Sequence, residues 1–307
     1  MKRILTVIFV FSFVLSFNIV AQQQTMKVAS YNLRVDTPRD VANGNGWLNR
    51  YPVVANMVLF HDWDIIGTQE CKTNQINDLQ NVLKVHNYEV IGRSREEDPV
   101  EGEFSAIFYK ANRYELIENG DFWLSETPCK ASKGWDAAFN RICSWGHFKE
   151  IATGFEFYVF NMHFDHRGVE ARLKSAELVV QKVKSIAKGK TTILTGDFNV
   201  DQYSDSYTTF ATSGFLTDSY TLAPIILANN GTFNSFNVDG TTHHRIDHIF
   251  VTNDLQVNRY GVLTDLYWSD EDGEPIKSRD FPDEVKSKNA TPRLPSDHYP
   301  VVVELQY

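Results

Sequence analysis

Two short acidic segments carry residue types that could do hydrolytic chemistry. Residues 196–199 read GDFN and residues 296–298 read SDH. Asp197, Asn199, Asp297 and His298 thus offer carboxylates, a carboxamide and an imidazole. The same types recur at Asn32, at Glu70 in TQE, at Asn161 and His163 in NMH, and at Asp247 in RIDH. This set suits Mg²⁺, with Mn²⁺ as a substitute, because such ions take hard oxygen ligands and need only one or two carboxylates. It also suits the hydrolysis of a phosphoester. That reaction needs a metal for the growing charge, a base to orient water, and an acid for the leaving oxygen. Other chemistries lack their marks. There is no HEXXH and no familiar zinc spacing of histidines, no G-x-S-x-G, and no P-loop or Rossmann glycine pattern.

These residues must be positioned by regular elements, and the pattern places them at strand ends. Residues 26–33 have strand character, with Asn32 at the end. Residues 50–61 carry Val53, Val54, Met57 and Val58 at helical spacing, with Asn49 as the expected cap. Residues 64–68 read as a short buried strand, with Glu70 just past it. Residues 74–86 read as a second amphipathic helix, through Ile76, Leu79, Val82 and Leu83. Strands are expected at 88–92, 105–110, 114–118 and 155–163, the last ending on His163. Residues 169–187 form the clearest helix, with Leu173, Ala176, Val180 and Val183 on one face and Gly189 beyond its end. Further strands are expected at 191–195, 246–251 and 300–305. The polar stretch 273–293 reads as a long surface loop. Strands mixed with helices in this order imply an α/β or α+β sheet protein. Strand ends gather distant residues on one rim, where loops build sites.

The totals bound the class. The 307 residues are 42% hydrophobic and 22% charged, an ordinary globular composition. Lys2 and Arg3, an apolar run from 4 to 20, and small Ala21 before Gln22–Gln24 form the pattern of a signal peptide cut after residue 21. That leaves residues 22–307 as one catalytic domain, exported to the periplasm or beyond. No later segment is long and apolar enough to span a bilayer. Without residues 1–21 the chain carries 28 Lys and Arg against 39 Asp and Glu, a net −11. Such a charge gains little from counterion release and does not favour nucleic acid as the partner. The three cysteines, Cys71, Cys129 and Cys143, have no metal-type spacing. Export permits a disulfide, Cys129 and Cys143 being the closer pair, and Cys71 is expected to be buried and inert.

At this point six segments carry a resemblance. SYNLR (30–34), TQE (68–70), NMH (161–163), GDFN (196–199), RIDHIF (245–250) and SDHYP (296–300) resemble, in order, the motifs of the endonuclease/exonuclease/phosphatase superfamily. Each alone has a bland explanation as a turn or a core polar residue. Six in order, each beside an expected strand, do not. The resemblance implies a four-layer α/β/β/α sandwich, with two packed mixed sheets flanked by helices. It implies metal binding at Glu70, helped by Asn32, with Asp297 near the metal. It implies that Asp197 orients or deprotonates the attacking water, with Asn199 at water and phosphate. His298 would contact the scissile phosphate, held in its tautomer by Asp247, and His163 would donate to phosphate or leaving group.

Four further residues are candidates for binding the phosphoester substrate. Arg141 and Trp145, in RICSW, suit phosphate and ring stacking, although sheet packing suits Trp145 equally. His166 and Arg172 flank the start of the 169–187 helix, whose amides would favour an anion. The His243-His244-Arg245 run and the aromatics Trp123, Trp135 and Phe139 are weaker candidates. The substrate stays open among a phosphorylated sugar, a lipid headgroup and nucleic acid. A secreted nuclease would call for a basic groove with stacking aromatics, and the sequence has no Lys/Arg-rich stretch. A silent binding module on the same fold would be expected to have lost a core residue, and all eight are present.

Overall fold

A computed structural model describes residues 24–269 and 290–307. The signal-peptide pattern of residues 1–21, and most of the expected 273–293 loop, lie outside these residues. The first half of the chain runs β1 (Thr25–Asn32), α1 (Pro38–Ala42), α2 (Trp47–His61), β2 (Ile65–Gln69), α3 (Thr73–Leu83), β3 (Tyr88–Ile91), β4 (Ile107–Lys110), β5 (Tyr114–Trp123), β6 (Ile142–Glu150) and β7 (Glu156–His163). The second half runs α4 (Val169–Ala187), β8 (Thr192–Asp197), α5 (Asp205–Ala211), β9 (Leu216–Asp218), α6 (Ser219–Leu222), β10 (Ile226–Leu227), β11 (Asp247–Thr252), β12 (Gln256–Val262), β13 (Tyr267–Ser269), β14 (Thr291–Arg293) and β15 (Val301–Gln306).

Two large sheets result. One has the order β10-β12-β15-β1-β2-β4-β3 and the other β5-β6-β7-β8-β11-β9, while β13 and β14 form a separate pair. Both large sheets are mixed: β1–β2 and β7–β8 are parallel, and β1–β15 and β8–β11 antiparallel. Three apolar clusters fill the spaces between layers. Val28, Ile65, Val159, Ile193, Ile249 and Val303 pack between the sheets. Tyr31, Ile66 and Phe108 on the outer face of the first sheet meet Val54 and Val58 of α2 and Leu79 of α3. Phe160, Leu194 and Phe250 on the outer face of the second meet Val179 and Val183 of α4 and Phe210 of α5. This is the α/β/β/α sandwich.

Strand alternation explains how this packing produces a site. Side chains two apart share a face, and the inward faces change character along their length. β1 presents Met26, Val28, Ser30 and Asn32; β7 presents Phe157, Val159, Asn161 and His163; β8 presents Ile193, Thr195 and Asp197. The apolar half makes the core between the sheets, and the polar half continues it to one rim. A buried carboxamide zipper joins the two sheets midway. Asn161 donates to the Thr68 and Ala106 carbonyls (2.8 and 2.9 Å) and accepts from Gln69 (2.7 Å) and Thr195 (3.0 Å). Gly67 is required here, because a Cβ on it would fall on Thr195 Oγ1 and Asn161 Oδ1.

Several expected boundaries move. α2 begins at Trp47 with Gly46 as its cap, so Asn49 lies inside the first turn. α3 stops at Leu83, and a tighter 3₁₀ turn takes Lys84–His86. β5 extends to Trp123 because its whole length pairs with β6, a strand the pattern did not single out. On α4 the buried line runs through Ala171, Ala176, Val179 and Val183, leaving Leu173 and Val180 only part-buried. Thr291–Arg293, expected in a loop, is strand β14 paired with β13. All three cysteines are free: Cys71 and Cys143 are buried and Cys129 is exposed.

Candidate active site

The site lies at the rim where the inward faces turn polar. Registers set the neighbours: His163 pairs with Asp197 across β7–β8, and Asp247 with Asp197 across β8–β11. β1 and β2 end together at Asn32 and Gln69, which puts Glu70 one residue past the rim. Glu70 (φ 66°), Asn199 (φ 48°) and Arg34 (φ 56°) then turn left-handed. That conformation costs a non-glycine residue about 1–2 kcal/mol, and here it turns each side chain at a strand end back over the site.

Asn32 is the hub. Its amide donates to Glu70 Oε1 (3.0 Å) and Asp197 Oδ2 (2.9 Å), and His298 Nε2 lies 3.4 Å away. Its carbonyl oxygen accepts from the Arg34 amide (3.0 Å). Glu70 Oε2 accepts from the Val35 amide (3.0 Å), so both carboxylate oxygens are held. Asp197 Oδ1 accepts from the Asn199 amide (2.8 Å). The Asn199 side chain donates to the Phe164 carbonyl (2.9 Å) and to His163 Nε2 (3.0 Å). In this arrangement His163 Nε2 is an acceptor, whereas the resemblance implied a donor. His298 Nδ1 lies 2.9 Å from Asp247 Oδ2, and its ring meets Phe233 edge-on at 5.0 Å.

Burial dominates the electrostatics, and neighbours decide its sign. Burial and the adjacent Asp247 push the Asp197 carboxyl up to about 7, against the opposing pull of His298. Burial likewise raises Asp297 to about 6, helped by Glu70. Glu70 is the exception. Burial is outweighed by His298, the Asn32 and Val35 hydrogen bonds and Arg34, which keep it below the usual carboxylate range. Burial opposes charge on both imidazoles. For His298 the carboxylates of Asp247, Asp197 and Asp297 win and raise it well above its ordinary value. His163 faces Arg141 and Arg95 as well as burial, and is held neutral.

This donor set fits a divalent cation. Glu70, Asp197 and His298 offer ligand atoms within 4.8 Å of one another, with Asp297 lining the same cleft. His298 is held as a cation, so the ligands proper are the carboxylates. Two of them, Asp197 and Asp297, are raised chiefly by burial, and a cation held between them would offset that cost.

The cleft encloses about 400 Å³ and continues past His163 to a basic wall of Arg95, Arg141 and His166, with Phe139 and Glu103 beside them. Arg141 Nη2 donates to His166 Nδ1 (3.1 Å), and the His166 ring stacks on Phe139 (5.8 Å, 19°). The Arg95 guanidinium lies over Phe139 (5.0 Å) and bonds Glu103 (2.5 Å).

Of the residues singled out in the sequence, Glu70, His163, Asp197, Asn199, Asp297, His298, Arg141, His166 and Phe139 line this cleft, with Asn32 and Asp247 bonded directly behind them. Trp145 does not. Alternation along β6 turns it outward with Cys143, against Tyr158 and Phe160 (both 6.3 Å). Arg172 does not either; it donates to the Asp165 carbonyl (3.0 Å) and ties α4 to the preceding loop. Arg245 is buried on Asp218 (2.9 Å) and Tyr220 (4.0 Å), a packing role, and His244 pairs with Asp201 at the surface. The sequence reading missed Arg34, Arg95, Glu103 and Phe233. Arg95 and Glu103 sit in the loop between β3 and β4, which has no periodicity; bridges from Phe104 to Cys71 and Ser94 pin it to the rim.

Comparison with known proteins agrees with this fold. A family protein from Bacteroides thetaiotaomicron of known crystal structure is 49% identical, covers 93% of this chain and 99% of its own, and superposes with a TM-score of 0.86. A mannosyl-6-phosphatase from Bacteroides thetaiotaomicron VPI-5482 is also 49% identical, over 92% of this chain and all of its own, with a TM-score of 0.84. An uncharacterized protein of Acanthamoeba polyphaga mimivirus is 32% identical over 163 residues; the match spans half of this chain and 60% of that protein. The sequence profile described as the Endonuclease/Exonuclease/phosphatase family matches residues 29–298, and the chain belongs to that family.

Proposed function

We propose that this protein hydrolyses a phosphoester with the help of Mg²⁺ or Mn²⁺, and that its substrate is a small phosphorylated sugar met outside the cytoplasm. One observation carries the reading: Glu70, Asp197, Asn32 and His298, from four separate stretches of chain, converge within hydrogen-bonding range at the floor of a cleft. Glu70 would hold the cation, with Asp297 and Asn32 beside it. When bound, such an ion supplies positive charge to the phosphoryl oxygens and to the charge that develops in the transition state.

The chain's own groups divide the remaining work. Asp197, raised toward neutrality and fixed by the Asn32 and Asn199 amides, suits the acceptance of a proton from the attacking water. Asn199 and His163 brace each other at the cleft wall and orient what lies between them. His298, kept cationic by Asp247, faces the same space with Nε2 and offers a charged donor to a phosphoryl oxygen. The sugar-phosphate reading draws on the 49% identical mannosyl-6-phosphatase, on the cleft's size, which suits a small molecule, and on the net −11 of residues 22–307. The N-terminal signal pattern supports export.

The test is a panel assay. Purified residues 22–307 would be given mannose 6-phosphate, other sugar phosphates, inositol phosphates, sphingomyelin, RNA and single- and double-stranded DNA, with Mg²⁺ or Mn²⁺ and then with EDTA. Metal-dependent phosphate release, strongest on sugar phosphates, is expected. Absence of metal-dependent turnover on every ester would remove the hydrolase reading, and a preference for nucleic acid would remove the sugar.

A further inference from the structure

We infer that Arg141 is the specificity-determining residue that selects a phosphomonoester over a phosphodiester, by binding the terminal phosphoryl oxygen that only the monoester has. The inference rests on the reading of the cleft as a phosphoester site and goes beyond it to the class of ester.

Arg141 holds an unpaired donor. Arg141 is only 4% exposed, and each nitrogen of its guanidinium can be accounted for. Nε reaches Asp165 Oδ2 at 3.4 Å, and Nη2 donates to His166 Nδ1 at 3.1 Å. Nη1 is buried and has no hydrogen-bond partner among the described residues. A guanidinium stays charged in proteins, and a buried charged donor without a partner is costly to leave unmade. Such a group calls for an acceptor from outside the protein.

Its protein partners absorb its charge only in part, since Glu103, the carboxylate that balances it most, is itself bonded to Arg95. Asp165 already accepts from the amides of Ala138 (3.0 Å), Phe139 (3.2 Å), Arg167 (2.9 Å) and Gly168 (2.8 Å), which leaves Arg141 one long bond to it. His166 accepts from Arg141 through Nδ1, so its own proton sits on Nε2. Arg95 adds a second guanidinium to the same wall, tied to Glu103. The cleft is therefore polarised. Glu70, Asp197 and Asp297 make one end acidic and suited to a cation; Arg141 and Arg95 make the other basic, with His163 and Asn199 between.

A phosphomonoester near neutral pH carries close to two negative charges and three non-bridging oxygens. A diester carries one charge and two such oxygens. With a phosphoryl group between the two ends, a turn of the Arg141 guanidinium toward the cleft that it lines gives Nη1 its missing acceptor in the monoester's extra oxygen. A diester would set an uncharged ester oxygen and its carbon against a buried guanidinium, leaving the donor unpaired and its own chain short of room.

The experiment measures binding, so that it does not depend on turnover. With Mg²⁺ present, methyl phosphate and dimethyl phosphate would be titrated calorimetrically into the wild-type chain and into Arg141→Met and Arg141→Lys. The wild type is expected to prefer methyl phosphate at least tenfold. Arg141→Met should lose roughly 10- to 100-fold for methyl phosphate, the usual scale for a charge-assisted hydrogen bond, and little for dimethyl phosphate. Arg141→Lys keeps the charge without the planar fork and should fall between; it also serves if thermal unfolding shows that Arg141→Met does not fold. Equal binding of the two esters by the wild type, or an unchanged preference in the variants, would overturn the inference. If the preference depends on Arg141 while the wild type hydrolyses neither ester, the inference stands and the hydrolase reading falls.

Discussion

At the scale of single residues, the site separates into groups that hold charge and groups that hold groups. Glu70 is the carboxylate with the strongest claim to a cation, since it stays ionised where its neighbours are pushed up. Glu70→Ala is expected to collapse turnover and to shift the Mg²⁺ titration upward; an unchanged metal titration would remove Glu70 from the site. His298→Ala should lose roughly 10²–10⁴-fold in kcat, the usual worth of a positioned acid–base or charged donor group. A loss below about tenfold would place His298 outside the chemistry. The residues expected to do this work were legible in the sequence because each sits in a short polar motif at or beside a strand end. Arg95 and Glu103 were not legible, because loop residues carry no period and reach the cleft only through the bridges of Phe104.

At the scale of elements, each strand of the rim spends one end on the core and the other on the site. The join between those halves is the polar contact of Gly67, Gln69, Asn161 and Thr195 between the sheets. Gly67→Ala is expected to force the two sheets apart there, lowering stability by about 1–3 kcal/mol, the range for overpacking a well-filled interior. Denaturant unfolding would measure it; a change under about 0.5 kcal/mol, typical of surface sites, would mean that the contact is looser than it stands. Alternation also explains which sequence expectations failed. An aromatic in a strand belongs to whichever face its register gives it, so Trp145 could be assigned to the cleft or to the helix side until β6 was paired. Arg172, on the first turn of α4, faced the same choice and turned to the Asp165 carbonyl.

At the scale of the whole molecule, the outer layers carry their own titratable group. His248 lies on the outer face of β11, fully buried among Phe198 (4.9 Å), Tyr207 (5.0 Å) and Phe250 (6.1 Å). Burial lowers it to about 4 from its ordinary 6.5. Between those values the unfolded chain binds the proton and the folded chain does not, so acid favours unfolding. The stability from keeping His248 neutral is fully present above pH 6.5 and is lost as pH falls toward 4. The slope is at most about 1.4 kcal/mol per pH unit for one group. His248→Gln, which keeps a donor toward the Val200 carbonyl, should therefore show a shallower acid limb than the wild type in urea unfolding between pH 6.5 and 4. Parallel limbs would mean that His248 takes up its proton in the folded state.

The amino-acid sequence by itself marked the strands that carry the rim residues and the identity of the acidic rim, but not β6 or β12. A period of two and a short polar motif are both local, and both survive without knowledge of what lies opposite. The helix α4 was legible for the same reason, its period of 3.6 running unbroken for five turns. What only the tertiary structure decided is pairing. It determined which face of β6 is inward, that Asn32 donates to both Glu70 and Asp197 across 38 and 165 residues of chain, and that Arg141 is buried with one nitrogen unmet. Those facts depend on distances between segments far apart in sequence, where burial and neighbouring charge are set. The wall that is inferred to choose the ester exists only once the sheets have packed.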